Sequence, residues 1–376
     1  MKNSALYVHI PFCDHKCIYC DFYSIITKDN IKLFLSSIKK EISNYSDKYR
    51  ADRSFFSIFF GGGTPSLMEP EYIGEIITEL KDKFIITHDA EITLETNPGT
   101  VNMEKLEAFR NAGINRISIG IQSFDDKDLS FLTRIHNKQT AIDTVNNAKD
   151  AGFNNISVDL IFNLPEQTKE KWLKNLQEAV KLPVQHISAY SLILERGTIL
   201  NKLVLDGKVT VQDDDYDAEL YQATIDFLKS EGFIQYEVSN FAKPGFESRH
   251  NNAYWRYNDY LSFGPSAHSF MNGKRWWNYS SLKRYINEVA QNSHARSGDE
   301  IITTEQKFEE YVMLALRSKG IDIPEFKSLF GDKWLIEHTN YFSELEQKGF
   351  VSINKNLINL TGPGYAVCDE ILSKIL

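Results

Sequence analysis

The sequence is poor in cysteine: it has four in 376 residues, and three of them fall between positions 13 and 20. Such neighbours cannot all pair at long range, so a disulfide-built fold is excluded and a reducing compartment, the cytoplasm, is expected. No stretch reaches the roughly 18 apolar residues that span a bilayer. Nor is there an excess of basic charge. Lys and Arg number 42 against 51 Asp and Glu, and the net charge of −9 excludes a general nucleic-acid or anionic-membrane surface while leaving room for local basic pockets. Low-complexity tracts are absent, and 42% hydrophobic with 25% charged residues excludes long disorder and fibrous architecture. Met1 to Ser4 lead directly into an alternating apolar segment without a charged leader or apolar h-region, so no secretory signal is expected.

What is present is length and alternation. At about 150 residues per domain, the chain holds a full α/β barrel and a smaller unit. Six β-branched or aromatic segments read as strands: Ala5 to Phe12, Phe55 to Phe60, Glu91 to Thr96, Arg116 to Gln122, Ile156 to Phe162 and His186 to Ile193. Between them, Ile31 to Tyr45, Glu71 to Phe84, Met103 to Asn111, Thr140 to Ala151 and Thr168 to Val180 carry helical periodicity. Alternating strand and helix implies a parallel sheet, with chemistry just beyond the C-terminal strand ends. Polar or glycine-rich clusters fall there: Cys13, then Gly61 to Thr64, then Asn97 and Pro98.

After about Ser230 the pattern changes. Tyr236 to Tyr279 is rich in Tyr, Trp and Asn without a clear period and reads as loops packed on the barrel; Asn292 to Glu300 reads as a polar linker. Thr304 to Arg317 and Trp334 to Lys348 read as helices, and Phe350 to Leu360 as a hairpin turning at Asn354 to Asn356, together a winged-helix-like appendage. The expected division is therefore 1–230, 231–291 and 292–376.

Cys13, Cys17 and Cys20 form CxxxCxxC within PFCDHKCIYC. Soft thiolates at this spacing converge on an iron–sulfur cluster or on zinc. A closed zinc site needs four ligands, with His9 or His15 as the fourth. A cubane bound by three Cys leaves one iron open to an external chelating ligand.

CxxxCxxC at the mouth of a first strand is similar to the signature of the radical S-adenosylmethionine (SAM) superfamily, in which the open iron takes the amino and carboxylate groups of SAM. With LYVHIPFC, GGGTP, ETNPGT, ISIGIQSF and VDLIFNLPEQT in order at successive strand ends, the chain resembles oxygen-independent coproporphyrinogen oxidases and their relatives, the HemW heme chaperones, over nearly its whole length. The resemblance implies a partial (β/α)6 barrel, a 4Fe-4S cluster on Cys13, Cys17 and Cys20, and SAM. It implies that Gly62, Gly63 and Thr64 contact the methionine end of SAM and that Tyr7 and Tyr19 line the same ligand. Glu95, Gln122, Arg134 and Asp159 are expected around the rest of it. Glu95 and Asp159 stand among apolar strand residues, where charge is costly unless paired or liganded, and Arg134 can fork onto a carboxylate. For each of the four, an internal ion pair is the competing reading.

The chain departs from the oxidase pattern. Cys20 is followed by Asp21 and Phe22 where the oxidases carry a further Cys, and 12 residues precede Cys13, fewer than the N-terminal segment the oxidases use. Phe22 is similar to the HemW pattern. So is HNNAYW, in which His250, Asn251, Tyr254 and Trp255 match a motif associated with heme binding. A neutral imidazole ligates heme iron and neighbouring aromatics pack on a porphyrin face. His268 reads as structural and Cys368 as a buried thiol in the last helix. No catalytic residue is assigned.

Three functions follow. The favoured one is a heme chaperone handing heme to apo-hemoproteins, respiratory enzymes being the expected acceptors, with peripheral contact at the membrane and no nucleic-acid partner. The second is a radical SAM enzyme, such as a coproporphyrinogen III oxidase. The third is a zinc-binding module without SAM.

Overall fold

The computed structural model describes residues 1–27 and 29–376. Six parallel strands form its centre: β1 (Lys2–Ile10), β2 (Arg53–Gly62), β3 (Ile86–Thr96), β4 (Arg116–Gln122), β5 (Ile156–Phe162) and β6 (His186–Ser191), paired in chain order. Helices Ile31–Tyr49, Pro70–Lys83, Met103–Asn111, Lys138–Asp150 and Lys169–Lys181 connect them. The sequence marks their starts. Asn102, Asn137 and Thr168 each cap a helix by accepting a first-turn backbone N–H.

The strands alternate between two environments. One face carries Val8, Phe60, Leu94, Ile119 and Leu160, all in the main apolar core with helix residues such as Ile42, Ile77 and Phe109. The other face carries Tyr7, Glu95, Ser118, Asp159 and Ser188, whose mutual interactions show that they share the barrel interior. This interior is polar, a marked departure from the branched aliphatic filling of a closed barrel.

Both sheet edges extend beyond the six strands. β7 (Ile234–Glu237) and β8 (Asn240–Ala242) continue past β6 in antiparallel pairing. Beyond β1, β9 (Tyr260–Phe263) pairs parallel, followed by an antiparallel meander of β10 (His268–Met271), β11 (Lys274–Asn278) and β12 (Arg296–Ile301). The segment Tyr236 to Tyr279, expected as loops, thus carries short strands and one helix at Arg249–Trp255. Its strands run three to five residues, too short to produce a visible period. The expected linker is instead the end of helix Leu282–Asn292 followed by β12.

Glu41 braces this edge. Fully buried on helix Ile31–Tyr49, it accepts hydrogen bonds from Gly264 N–H (3.0 Å), Asn278 Nδ2 (2.7 Å) and Tyr285 Oη (2.7 Å). Burial pushes its carboxyl up to about 7, against these three donors.

A second apolar cluster, with Val312, Phe326, Phe342, Ile358 and Ile371, forms the C-terminal unit. Its sheet has β13 (Ile321–Asp322) and β14 (Val351–Ile353) flanking β15 (Leu357–Leu360). The hairpin turns where expected, with Asn354 Oδ1 accepting from the N–H groups of Asn356 and Leu357. Trp334 to Lys348 is two helices rather than one, parted at His338, where φ −99° and ψ 5° leave the helical range. Cys368 is buried in helix Cys368–Ile375.

Candidate functional site

The cysteines lie on the loop after β1, at the mouth formed by the C-terminal ends of the parallel strands. Backbone bonds close this loop at its base, from Ile25 N to Pro11 O (2.8 Å) and from Cys13 N to Ile25 O (3.0 Å). Thr133 Oγ1 accepts from Ile18 N at 3.2 Å and sits 3.3 Å from His15 Nε2. All three thiols are free and half-buried.

A hydrogen-bonded chain runs from Cys13 to Cys17 across three strand ends. Cys13 Sγ lies 3.2 Å from Thr64 Oγ1, which accepts from Asn97 Nδ2 at 2.8 Å. Asn97 Oδ1 in turn accepts from Arg134 Nη2 at 2.7 Å, and Arg134 also reaches Gly120 O (2.6 Å) and Cys17 Sγ (3.6 Å). Thr64 and Arg134 are thus tied to the cysteine loop through Asn97, which the sequence reading noted only as a polar strand end. Tyr19 packs beside Leu132, Ile161 and Leu164 and lies near Arg134, Cys17 and Cys20. Gln122 ends β4 with φ 73°, and its amide lies beside Gly120. This left-handed conformation is uncommon outside glycine and concentrates at functional sites.

The glycines of GGGTP serve the protein's own packing. A Cβ on Gly63 would stand 2.5 Å from Phe12 O and 2.9 Å from Ile10 O, so its backbone lies directly against the root of the cysteine loop. Gly62 has φ +111°, and a Cβ there would stand 2.4 Å from the His9 ring. Gly61 leaves room for Glu95 Oε2 and the Tyr7 ring, each 3.1 Å from where its Cβ would be. Tyr7 points into the barrel, its hydroxyl 3.2 Å from His9 Nδ1.

Glu95 and Asp159 share the interior with Arg116. Burial pushes Glu95 up to about 8, Asp159 adds to the rise, and the Gly62 N–H (3.3 Å) and Arg116 act against it. Asp159 is likewise raised by burial, although it accepts from Ser188 Oγ (2.8 Å) and Ser118 Oγ (3.3 Å). Arg116 is 2% exposed and its Nε has no partner among the described residues. The signal that singled out Glu95 and Asp159, a charge within an apolar strand, applies equally to Arg116, which the sequence reading passed over.

The HNNAYW motif forms helix Arg249–Trp255, capped by Ser248, whose Oγ accepts from Asn251 N at 3.2 Å. His250 is 1% exposed, with Nδ1 3.0 Å from Ser57 Oγ and Nε2 2.9 Å from Tyr254 Oη. Its ring stacks on Phe59 at 4.9 Å. Burial, aided by Arg116, lowers its pKa to about 3, so the ring is neutral. Both nitrogens are engaged; a bond from His250 to iron requires one of these two contacts to break. Tyr254 itself lines a cavity of about 360 Å³ with Tyr7, His9, Asp21, Phe22, Tyr23, Tyr260, Ser266 and His268. Asn251 and Trp255 are half-buried and do not line it.

A partial parallel barrel with a three-cysteine loop at its mouth defines a radical SAM scaffold. The Radical SAM superfamily profile matches residues 7–179. The chain is 32% identical over 379 residues to the heme chaperone HemW of Bacillus subtilis, covering 100% of this chain and 99% of that one. It is 31% identical over 378 residues to HemW of Lactococcus lactis, covering 100% and 98%. Against the mitochondrial radical S-adenosyl methionine domain-containing protein 1 of Bos taurus it is 32% identical, covering 100% of this chain and 88% of that one. Among solved structures, coproporphyrinogen III oxidase (HemN) from Escherichia coli matches with a TM-score of 0.83 and 23% identity, covering 100% of this chain and 90% of that one, a likeness of fold. The chain belongs to the radical SAM superfamily and, within it, to the HemW family.

Membership implies a 4Fe-4S cluster and SAM, and the donor set fits. Three soft thiols occupy one loop, one for each of three irons. Among the described residues no three His, Cys, Asp or Glu side chains gather closely enough to hold a single metal ion. No helix among the described residues is long and apolar enough to cross a membrane.

Proposed function

We propose that this protein is a heme chaperone: it carries heme on a scaffold that holds a 4Fe-4S cluster and SAM, and delivers it to apo-hemoproteins such as respiratory enzymes. Cys13, Cys17 and Cys20 hold the cluster. Gly62, Gly63, Thr64, Tyr19, Gln122 and Arg134 surround SAM near the mouth, with Tyr7, Glu95 and Asp159 deeper in the barrel. When bound, the cluster supplies one-electron chemistry and an open iron for SAM. The chain's own residues orient the ligands: Asn97 holds Thr64 and Arg134, and the barrel interior keeps Glu95 protonated near neutral pH.

One observation carries the heme reading: an aromatic cavity adjoins the cysteine loop, walled by Phe22 from that loop and by Tyr254 from HNNAYW. These two residues come from the segments in which the chain departs from the oxidase pattern. The handover is placed in the cytoplasm, with peripheral contact at the inner membrane face.

The test is anaerobic reconstitution with iron and sulfide, followed on one sample by heme titration, transfer to an apo-hemoprotein and a coproporphyrinogen assay. Stoichiometric heme uptake and transfer without coproporphyrinogen turnover is the expected result. Turnover without heme uptake would establish the oxidase instead.

A further inference from the structure

We propose that the floor of the barrel carries a second ligand site, a cavity that binds a small phosphate ester bearing hydroxyl groups. It lies at the N-terminal ends of β1, β2 and β3, the end of the parallel barrel away from the cysteine loop.

The cavity measures about 470 Å³ and draws its walls from separate parts of the chain. Phe56 comes from β2 and Glu247 from the turn after β8. Arg249, Asn252 and Arg256 come from the HNNAYW helix and its C-cap, and Lys319 from the C-terminal unit. Arg249, Asn252 and Arg256 stand at helical spacing on one face of that helix; His250 and Tyr254, bonded to each other, share another. The cavity is therefore separate from the residues placed around the cluster, SAM and heme.

Three cations meet a single carboxylate on these walls, in a chain whose net charge is −9. Arg249 is already held: Nη1 donates to Asp89 O (2.6 Å) and Oδ2 (3.1 Å), and its guanidinium lies over the Phe56 ring at 5.7 Å. Arg256 and Lys319 are exposed and form no salt bridge among the described residues. They are close enough that Arg256, after burial, lowers the Lys319 pKa, with Glu247 opposing. A bond from Val238 N to Arg317 O (2.9 Å) fastens the segment that carries Lys319 to the barrel edge. Two like charges held together without neutralisation suit a dianion. A phosphate monoester carries about −1.5 to −2 charges near neutral pH and offers three strong acceptor oxygens.

A second observation says what else the ligand carries. Asn252 Oδ1 is sealed from bulk water and has no hydrogen-bond partner among the described residues. Buried acceptors are rarely left unpaired. Neither this carbonyl nor the Glu247 carboxylate is satisfied by a phosphate oxygen, which also accepts; both require donors, and hydroxyl groups supply them. Cations for the phosphate and acceptors for the hydroxyls fit a cavity of this size to a sugar phosphate, free or as part of a nucleotide.

The test uses the full-length, cluster-reconstituted protein saturated with SAM, so that the SAM site is filled. It is titrated calorimetrically with ribose 5-phosphate, adenosine monophosphate, ribose, inorganic phosphate and succinate. Ribose 5-phosphate is expected to bind once per chain and more tightly than inorganic phosphate or succinate, with ribose silent. Tighter binding of adenosine monophosphate than of ribose 5-phosphate assigns the nucleotide; equal or weaker binding assigns the free sugar phosphate. Arg256→Gln and Lys319→Gln each weaken ribose 5-phosphate by about tenfold, the scale of one charge-assisted hydrogen bond, at unchanged melting temperature and iron content. Glu247→Ala tightens inorganic phosphate, by removing a repelling charge, and weakens ribose 5-phosphate, by removing a hydroxyl acceptor. Wild type that binds neither phosphate ester overturns the site, as does wild-type affinity in both Arg256→Gln and Lys319→Gln. Succinate bound as tightly as ribose 5-phosphate overturns phosphate as the anchor, and tightening of both phosphates in Glu247→Ala overturns the hydroxyl contact.

Discussion

Arg134 Nη2 donates to Asn97 Oδ1 at 2.7 Å, so a residue just past β3 fixes the guanidinium that faces Cys17. Through its other end Asn97 donates to Thr64, the neighbour of Cys13. One amide therefore sets the spacing between the two sides of the site, and both of its ends are used.

Asn97→Ala should leave Arg134 and Thr64 misplaced without touching a cluster ligand. Losing hydrogen bonds to a charged group costs about 1.5–3 kcal/mol, roughly tenfold or more in affinity. Anaerobic SAM binding is expected to weaken by that factor at nearly unchanged iron content. Wild-type SAM affinity in the variant would remove Asn97 from the site.

Replacing Cys13, Cys17 or Cys20 by Ser should each remove most of the bound iron, because in the proposed cluster each thiolate serves a different iron. Cys368→Ser, in the separate C-terminal core, should keep it. Iron and acid-labile sulfide per chain, measured after reconstitution, decide the matter; stoichiometric zinc in place of iron would contradict it.

Gly63→Ala places a Cβ 2.5 Å from a backbone carbonyl that cannot swing aside. Overpacking of this kind costs about 1–3 kcal/mol. The apo-protein should melt at a lower temperature and reconstitute poorly, since the strained contact is at the root of the cysteine loop. An unchanged melting temperature would mean that the loop shifts freely.

Two buried groups give opposite pH slopes. His250 has a folded pKa near 3 against an ordinary 6.5, so the unfolded chain binds the extra proton and stability falls as pH drops through this window. Glu95 has a folded pKa near 8 against 4.5, so the unfolded chain releases its proton first and stability falls as pH rises from 4.5 to 8. Within each window the slope is about 1.4 kcal/mol per pH unit at most. Urea denaturation of the apo-protein across pH should show a shallower acid limb in His250→Asn and a shallower alkaline limb in Glu95→Gln. Parallel curves for variant and wild type would show that these groups titrate alike in both states.

The sequence by itself determined the parallel sheet and the place of the site. β4 and β5 begin and end where the apolar runs do, because strands buried on both faces carry their signal in every residue or every second one. The cysteine spacing, GGGTP and the strand-end polar residues likewise announce a shared mouth, since βα order alone puts those ends together. The short strands at the sheet edges were not legible, because three to five residues hold no period and are stabilised by pairing with distant segments. Tertiary structure alone decided which polar residues meet. Asn97 gains its role from Thr64 and Arg134, 33 and 37 positions away. The same applies to the histidines: folding sets His250 between Ser57 and Tyr254 and leaves His268 open at a cavity. The state of an imidazole depends on what surrounds the ring, and those neighbours come from β2, the cysteine loop and β9, which only the folded chain brings together.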